Sequence, residues 1–364
     1  MEMRKRITSI SAAMLVLILF GFCIYSQYSV LIRKDYLGEH YYIHRYLQYL
    51  LYGIITSAFC YYLSLRIVRV RGILFVFILM GMVLCFKLLP SQCPLIFWHS
   101  GSKYIELFFV RYRISTWNTV ILLLVLCIVS QLCSTRWKLL LLSGLGLLFL
   151  MLIATEGNQG STFIAAILFL LLLIREETNN KLFKVIGILS YGVITGGYSL
   201  IMLIEYPQYF TIWANPYSDA LGKGYMKVQD FTIMKSALLF GNSQYNHTYS
   251  GEVLPTVLIL FGWGAFVFLV GILLFLQYNM QLLATRINDE LSKRTALSIT
   301  AYFFIKTSFC VLTFLNILPF YEGGHLPFVG YGSELIIDLI LMGVYLRCCH
   351  GLRSDQSRLS LTEL

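Results

Sequence analysis

The chain has 364 residues, of which 58% are hydrophobic and 13% are charged. Soluble globular domains contain about 45–50% apolar and about 25% charged residues, so this composition excludes a soluble enzyme, a disordered chain and a disulfide-framework secreted domain. The formal net charge of +10 does not indicate nucleic acid as a partner, because the basic residues stand in short clusters between apolar runs, as they do in membrane proteins.

Ten apolar runs have about the length that crosses a bilayer, which is ~20 residues. The first follows the basic residues Arg4, Lys5 and Arg6 and lacks a small-residue cleavage site, so it is predicted to be an uncleaved anchor. We therefore predict an all-α polytopic membrane protein that forms a single integral membrane domain over residues 1–364. The predicted spans lie near residues 7–28, 46–65, 72–90, 118–135, 137–154, 161–175, 183–204, 254–277, 297–318 and 333–347.

The placement of Lys and Arg predicts the orientation. If the N-terminus is inside, the cytoplasmic segments carry more Lys and Arg than the outer segments, so we predict that both termini are cytoplasmic. Residues 348–364 are then a cytoplasmic tail, and residues 205–253 are a long extracytoplasmic loop between helices 7 and 8. The turn-forming and aromatic residues of this loop favour an ordered re-entrant structure over a flexible linker.

Residues 215–225 read N-P-Y-S-D-A-L-G-K-G-Y, with a glutamine four residues on, and residues 326–333 read L-P-F-V-G-Y-G-S. These two segments resemble signatures of the SEDS family, which comprises FtsW, RodA and SpoVE. The first is similar to the family pattern N-P-W-x-D-P-x-G-x-G-Y-x-x-x-Q-S. The second resembles L-P-F-x-S-Y-G-G, and weaker similarities lie at 101–105 and 156–161. The aspartate of the first segment is interpreted as a turn former. The matched positions are Asn215, Pro216, Asp219, Gly222, Gly224, Tyr225, Gln229, Ser243, Pro327, Tyr331 and Gly332.

The resemblance implies a role in peptidoglycan synthesis at the bacterial cell membrane, for cell shape, division or sporulation. Members of the family polymerise a lipid-linked disaccharide-pentapeptide into glycan strands outside the membrane, and they work with a class B penicillin-binding protein that supplies the transpeptidase. The implied partners are this lipid-linked precursor, such a penicillin-binding protein and membrane lipids, without nucleic acid and without a cofactor.

The catalytic residue is where the sequence departs from the family. The proposed catalytic aspartate of the family lies just before helix 8, and here Tyr249 or Gly251 occupies its place, depending on the alignment. Glu252 is the nearest carboxylate and is the candidate base, although it also suits the N-terminus of a helix, where the dipole favours an acid. Two classes of function therefore stay open: a peptidoglycan glycosyltransferase, or a non-catalytic scaffold or lipid-intermediate binder or flippase.

Five charged residues are further candidates. Lys103, Arg111 and Arg113 suit a pyrophosphate, and equally suit anionic lipid head groups. Lys306 and Asp338 fall inside predicted spans, where unpaired charges are costly, so we predict that they pair between helices 9 and 10. The histidines and cysteines show no spacing typical of metal ligands, and no metal site is predicted.

Overall fold

The structure, a computed structural model of the chain, describes a protein that is mostly helical. Its long helices overlap the apolar runs of the sequence, as expected where a backbone must satisfy its own hydrogen bonds in lipid. The described residues are 2–31, 41–88, 96–99, 102–107, 110–132, 138–154, 159–175, 207–222, 224–241, 253–319, 325–330 and 332–362, with isolated positions between 185 and 204.

The elements follow in this order along the chain. Helices α1 (Glu2–Leu31) and α2 (Tyr41–Leu88) precede strands β1 (Ile96–His99), β2 (Ser102–Leu107) and β3 (Val110–Arg113), then helices α3 (Ile114–Leu132), α4 (Lys138–Ala154) and α5 (Gln159–Arg175). Two short helices come next, α6 (Pro207–Ala214) and α7 (Tyr225–Ser236), with a 3-10 turn between them at Pro216–Asp219. Three long helices complete the chain: α8 (Val253–Ala284), α9 (Glu290–Phe314) and α10 (Ser333–Thr362).

Among the described residues, three helices are long and apolar enough to cross a membrane, judged by length and composition: Lys5–Gln27, Val253–Ala284 and Glu290–Phe314. Two shorter apolar helices lie at Ile114–Val129 and Gly160–Leu172. The predicted span near 183–204 falls almost entirely outside the described residues. The count of ten spans stays a prediction.

The strictly all-α prediction was wrong in one place. Residues 96–99, 102–107 and 110–113 form a three-stranded antiparallel sheet in the order β1-β2-β3, with Phe97 opposite Tyr104 and Ile105 opposite Tyr112. Aromatic and β-branched residues favour such half-buried strands. In the sequence prediction these residues fall between the spans near 72–90 and 118–135, and no strand was predicted there.

Two helix boundaries also differ from the predicted spans. The predicted spans 46–65 and 72–90 lie in the single helix α2, because the basic segment between them contains no proline to end the helix. The last helix continues to Thr362, beyond the predicted span 333–347 and through most of the predicted tail.

The chain divides into two compact units. One comprises Met1–Tyr52, Tyr198–Asn279 and Lys306–Leu335, and the other comprises Gly53–Gly197, Met280–Ile305 and Ile336–Leu364. In the first unit, the hydroxyl of Tyr46 donates a hydrogen bond to the carbonyl of Ile18 at 3.0 Å, and its ring stacks on Tyr25. These contacts pack the start of α2 against α1.

The core of the second unit lies between α3, α4 and α5. The buried side chains of Val125, Phe149, Ile153 and Phe169 belong to it, with Val83 from α2. Gly146 lies against the ring of Phe169, so that a side chain at this position meets the ring directly. The absence of a Cβ at residue 146 therefore sets how closely α4 and α5 approach.

Helix α8 is interrupted at Gly262, whose φ of 79° and ψ of −173° are not helical. The amide of Trp263 donates to the carbonyl of Leu238 at 3.0 Å, and the amide of Gly264 donates to the carbonyl of Leu239 at 2.9 Å. The turn after α7 thus accepts the hydrogen bonds that the interrupted helix cannot make for itself.

Replacing Gly146 by leucine should lower the free energy of unfolding by about 1–3 kcal/mol, because overpacking forces the buried Phe169 ring out of place. The matched control is Gly144→Leu, since nothing lies within 4 Å of that position. Denaturant unfolding in micelles, followed by intrinsic fluorescence, measures both. Equal stability of the two variants would contradict the proposed close contact.

Candidate functional site

The segment Asn215–Tyr225 is a compact, hydrogen-bonded turn. The backbone carbonyl of Asp219 accepts from the amides of Gly222 at 3.2 Å and Gly224 at 3.0 Å. The amide of Ser218 donates to the carbonyl of Asn215 at 3.1 Å, and Pro216 is buried at the start of the 3-10 turn. These bonds end at Tyr225, where α7 begins, so the segment fixes the position of that helix.

The two glycines of this segment have different roles. A Cβ at Gly224 meets the backbone carbonyl oxygens of Pro216 and Asp219, whereas a Cβ at Gly222 meets only the side chain of Asp219. Backbone atoms held in a turn cannot move aside, but an exposed side chain can. Gly224 is therefore required by close backbone approach, which accounts for the second glycine of the G-x-G spacing.

Helix α6 is attached to the end of α9 by a reciprocal pair of hydrogen bonds. The indole Nε1 of Trp213 donates to the carbonyl of Asn316 at 2.9 Å, and the side-chain amide of Asn316 donates to the carbonyl of Trp213 at 3.0 Å. Asn316 has a φ of 59°, the left-handed conformation that commonly ends a helix. The long loop is thus fixed to the terminus of α9 at a defined residue.

Helix α7 is attached to the same terminus through a buried cation. Lys227 is 6% exposed, and its Nζ donates to the backbone carbonyl of Thr313 at 2.6 Å. The last carbonyls of a helix have no intrahelical partner and carry partial negative charge, so a cation there is favourable. Asp230, one turn later on α7, is also buried.

Lys227 is not among the site residues predicted from the sequence. The sequence contained a usable signal in the three-residue spacing of Lys227 and Asp230, which makes the two charged residues neighbours on a helix, and the structure buries both. The opposite side of α7 carries two of the motif residues predicted from the sequence: Tyr225 is 45% exposed, and the side-chain amide of Gln229 donates to its hydroxyl. These two residues form the accessible face of the signature helix.

The second signature segment is buried and leads directly into α10. Leu326, Pro327, Phe328 and Val329 have almost no exposure, and the amide of Gly330 donates to the carbonyl of Leu326 at 3.0 Å. Phe328 has a φ of 64°, a strained conformation for an aromatic residue that persists only where packing enforces it.

Gly332 completes this segment, and Tyr331 lies outside the described residues. Gly332 has a φ of 91°, and its carbonyl accepts from the amide of Leu335 at 3.2 Å. Glycine adopts this left-handed conformation at little cost, so the residue turns the chain into the first turn of α10.

Lys306 forms a buried ion pair with a residue that was not predicted from the sequence. Its Nζ lies 3.1 Å from Oε2 of Glu334, and the two side chains are 5% and 8% exposed. Asp338, one turn further along α10, is fully buried, and its predicted pairing with Lys306 stays a prediction. Glu334 lies in the first turn of α10, where the helix dipole alone favours an acid. Its position in the sequence therefore did not indicate a partner in α9.

Of the predicted pyrophosphate-binding residues, Arg113 has a described side chain. Its Nε and Nη2 donate to the hydroxyl of Tyr104 at 3.2 and 2.8 Å, and its guanidinium lies over that ring. Arg111 stands opposite Glu106 in the sheet, and Lys103 stands opposite Trp98, but the side chains of Lys103 and Arg111 lie outside the described part of the structure. The sheet therefore orders the side chain of Arg113.

The candidate base Glu252 and the family position Ser243 lie outside the described residues. Among the residues that the structure does describe, no group of three or more His, Cys, Asp or Glu side chains is arranged to hold a metal ion.

The chain matches the family model described as cell cycle protein (FtsW/RodA/SpoVE) over residues 7–353. It belongs to this family. The protein is therefore a membrane protein. No curated protein sequence matches the chain.

Solved structures share its fold. One, described as "Structural coordination of polymerization and crosslinking by a peptidoglycan synthase complex", matches with a TM-score of 0.70 at 18% identity, covering 94% of this chain and 97% of that one. The rod shape determining protein RodA of Thermus thermophilus matches with a TM-score of 0.64 at 14% identity, covering 94% and 95%. An aspartate-to-alanine mutant of the same protein gives 0.65 at 15% identity, covering 94% and 96%.

Replacing Gly224 by alanine should displace the start of α7 and lower the free energy of unfolding by about 1–3 kcal/mol, since the new methyl group meets backbone oxygens. Gly222→Ala is the control, because only the exposed Asp219 side chain has to move. Limited proteolysis of the loop reports the local effect: faster cleavage is expected in the Gly224 variant. The same cleavage rate in both variants would show that the turn tolerates a Cβ.

Removing one partner of the Lys306–Glu334 pair should cost about 3–5 kcal/mol, because the other charge stays buried. The double variant Lys306→Met with Glu334→Gln should therefore lose less stability than Lys306→Met alone. A second cycle with Asp338→Asn measures the coupling predicted for Lys306 and Asp338. Denaturant unfolding in micelles measures the free energy of unfolding of each variant. Additive effects of Lys306→Met and Glu334→Gln in the first cycle would contradict a direct ion pair.

Proposed function

We propose that this protein acts in peptidoglycan synthesis at the bacterial cell membrane, in cell shape, division or sporulation. The observation that carries the proposal is the family match over residues 7–353, within which the turn at Asn215–Tyr225 brings backbone carbonyl oxygens so close to Gly224 that a Cβ has no room there. The similarity of its fold to RodA and to a peptidoglycan synthase complex gives further support.

The proposed membrane arrangement has about ten spans in one domain and both termini in the cytoplasm. Residues 205–253 are then an extracytoplasmic loop, on the side where glycan strands are assembled. The attachment of α6 and α7 to the end of α9 supports an ordered loop that presents Tyr225 and Gln229 at a defined place near the membrane surface.

The proposed reaction is glycan polymerisation from the lipid-linked disaccharide-pentapeptide. An acceptor hydroxyl attacks the anomeric carbon of a donor, the bond to the polyprenyl pyrophosphate breaks, and the pyrophosphate leaves with the electron pair. Glu252 is the proposed base that takes the hydroxyl proton. Lys103, Arg111 and Arg113 are the proposed cations that stabilise the departing pyrophosphate. The bonds of Arg113 to Tyr104 support a pre-positioned guanidinium.

The second candidate function is a non-catalytic scaffold, or a lipid-intermediate binder or flippase, beside a class B penicillin-binding protein. The specific observation in its favour is the sequence at the position of the family's catalytic aspartate, where Tyr249 or Gly251 stands. In both functions the proposed partners are the lipid-linked precursor and such a penicillin-binding protein.

Polymerisation by the purified chain, in liposomes with the lipid-linked precursor and a class B penicillin-binding protein, distinguishes the two functions. Glu252→Gln should slow the reaction by ~10²–10⁴-fold, as expected for loss of a general base. Arg113→Gln should slow it by roughly 10-fold or more, because a charged hydrogen bond contributes about 1.5–3 kcal/mol. Glycan length on gels is the readout.

The matched control is Arg294→Gln, since Arg294 pairs with the exposed Glu290 on the surface of α9. Its rate should equal that of the parent chain. A parent chain that binds the precursor and produces no glycan favours the scaffold. An active parent that is unaffected by Glu252→Gln would show that another residue is the base.

A further inference from the structure

The turn after α7 exposes three consecutive large apolar side chains. Leu238, Leu239 and Phe240 are 65%, 60% and 86% exposed, and no charged residue lies between Lys235 and Gly241. We call these three residues the apolar turn. Exposure of this much apolar surface to water is unfavourable, by about 25 cal/mol per Å². We therefore ask what other than water contacts these three side chains.

Contacts between α1 and α8 place the apolar turn at a defined depth. Arg6, near the charged start of the candidate span Lys5–Gln27, lies 3.5 Å from Oδ1 of Asn279. Fourteen residues further along α1, Phe20 packs on Phe261 of α8 with ring centroids 5.5 Å apart. The two helices therefore run antiparallel, and residue 279 of α8 lies level with one membrane boundary.

The break at Gly262 is seventeen residues from Asn279, which corresponds to about 25 Å of helix. The hydrocarbon core is ~30 Å thick, so the break lies just inside the opposite boundary. Its neighbour Phe261 contacts Phe20, which is within a candidate span. Because Leu238 and Leu239 are hydrogen-bonded to Trp263 and Gly264, the apolar turn lies at the same depth.

The backbone of the turn is compatible with this depth. Non-helical backbone is tolerated in the hydrocarbon region only when its polar groups are satisfied by protein, and here the carbonyls of Leu238 and Leu239 accept from the interrupted helix. The approach is close: a Cβ at Gly262 meets the turn backbone, and a Cβ at Gly241 meets the carbonyl of Leu260 at 2.6 Å.

The lipid-facing surface of α8 continues from the same point. Val267 and Phe268 are 65% and 56% exposed, and Phe275 is 51% exposed, as expected for side chains that contact acyl chains. Lys235, exposed at the end of α7, is placed where a basic side chain reaches lipid phosphates while its apolar neighbours lie deeper.

We propose that Leu238, Leu239 and Phe240 form a wedge that inserts among the acyl chains of phospholipids, in the leaflet opposite to the N-terminus of α1. Under the topology proposed above, this is the outer leaflet. The wedge holds the base of the long loop at the membrane, while the hydrogen bonds to α9 hold its other end. It depends on the membrane placement of α1 and α8, and not on any catalytic activity.

The test is depth-dependent quenching in liposomes that contain the full-length chain. A fluorescent amino acid is incorporated in place of Phe240, and separately in place of Ser218, an exposed polar residue of the signature turn. The quenchers are phospholipids with a nitroxide on the head group or on an acyl chain. At position 240, we expect the acyl-chain nitroxide to quench about twofold more than the head-group nitroxide, as for apolar groups that insert ~5–10 Å below the head groups.

At position 218 the head-group nitroxide should quench more, which controls for label and reconstitution. Leu238→Glu with Leu239→Glu, in the chain labelled at 240, should reverse the order of quenching there. Stronger head-group quenching in the unmodified turn would place it in the aqueous interface and overturn the proposal. Equal, weak quenching by both lipids would show that protein covers the turn, and this would overturn it as well.

Discussion

The arrangement of the signature loop depends on the exposed carbonyl end of α9. The last four carbonyls of any helix lack intrahelical partners, and in this protein two elements of the loop supply donors to that end. Lys227 donates to the carbonyl of Thr313, and Trp213 exchanges hydrogen bonds with Asn316. Because the donors come from α7 and α6 respectively, the segment that contains these two helices is held to one terminus of α9 at two separate points.

The buried charges of the first unit select one arrangement of the helices more than they stabilise it. A buried ion pair contributes little net stability, because desolvation offsets the Coulomb attraction, but a buried charge without its partner is strongly unfavourable. The pair Lys306–Glu334 and the capping cation Lys227 therefore restrict the alternatives more than they add stability. They define which turn of α9 faces the start of α10 and which end receives the signature helix.

The long apolar elements were predictable from sequence because length and hydropathy determine them. Helices α3, α4, α5, α8 and α9 overlap their predicted spans, and the family resemblance is confirmed over residues 7–353. The small sheet was missed, because three strands of four to six residues are rich in aromatics without a long apolar period. The break at Gly262 was missed because its hydrogen bonds come from residues more than twenty positions earlier.

The candidate site was predictable to a lesser degree. Motif positions indicated where the chain turns, and Asp219 does lie in the 3-10 turn. The hydrogen-bond and ion-pair partners of the site residues could not be predicted from the sequence in the same way. Glu334 is twenty-eight residues from Lys306, and Thr313 is eighty-six residues from Lys227. Such contacts depend on the packing of distant helices, which no local pattern specifies.

The rigid turn before α7 also sets the rotational phase of that helix. Each residue of an α-helix advances the chain by about 100° around the axis, so a single insertion between Gly224 and Lys227 would carry the ammonium group from the interior to the solvent side. The same change would bring Tyr225 and Gln229 toward the packed face. The interval from Gly224 to Tyr225 and Gln229 thus determines both which side chains α7 buries and which side chains it exposes.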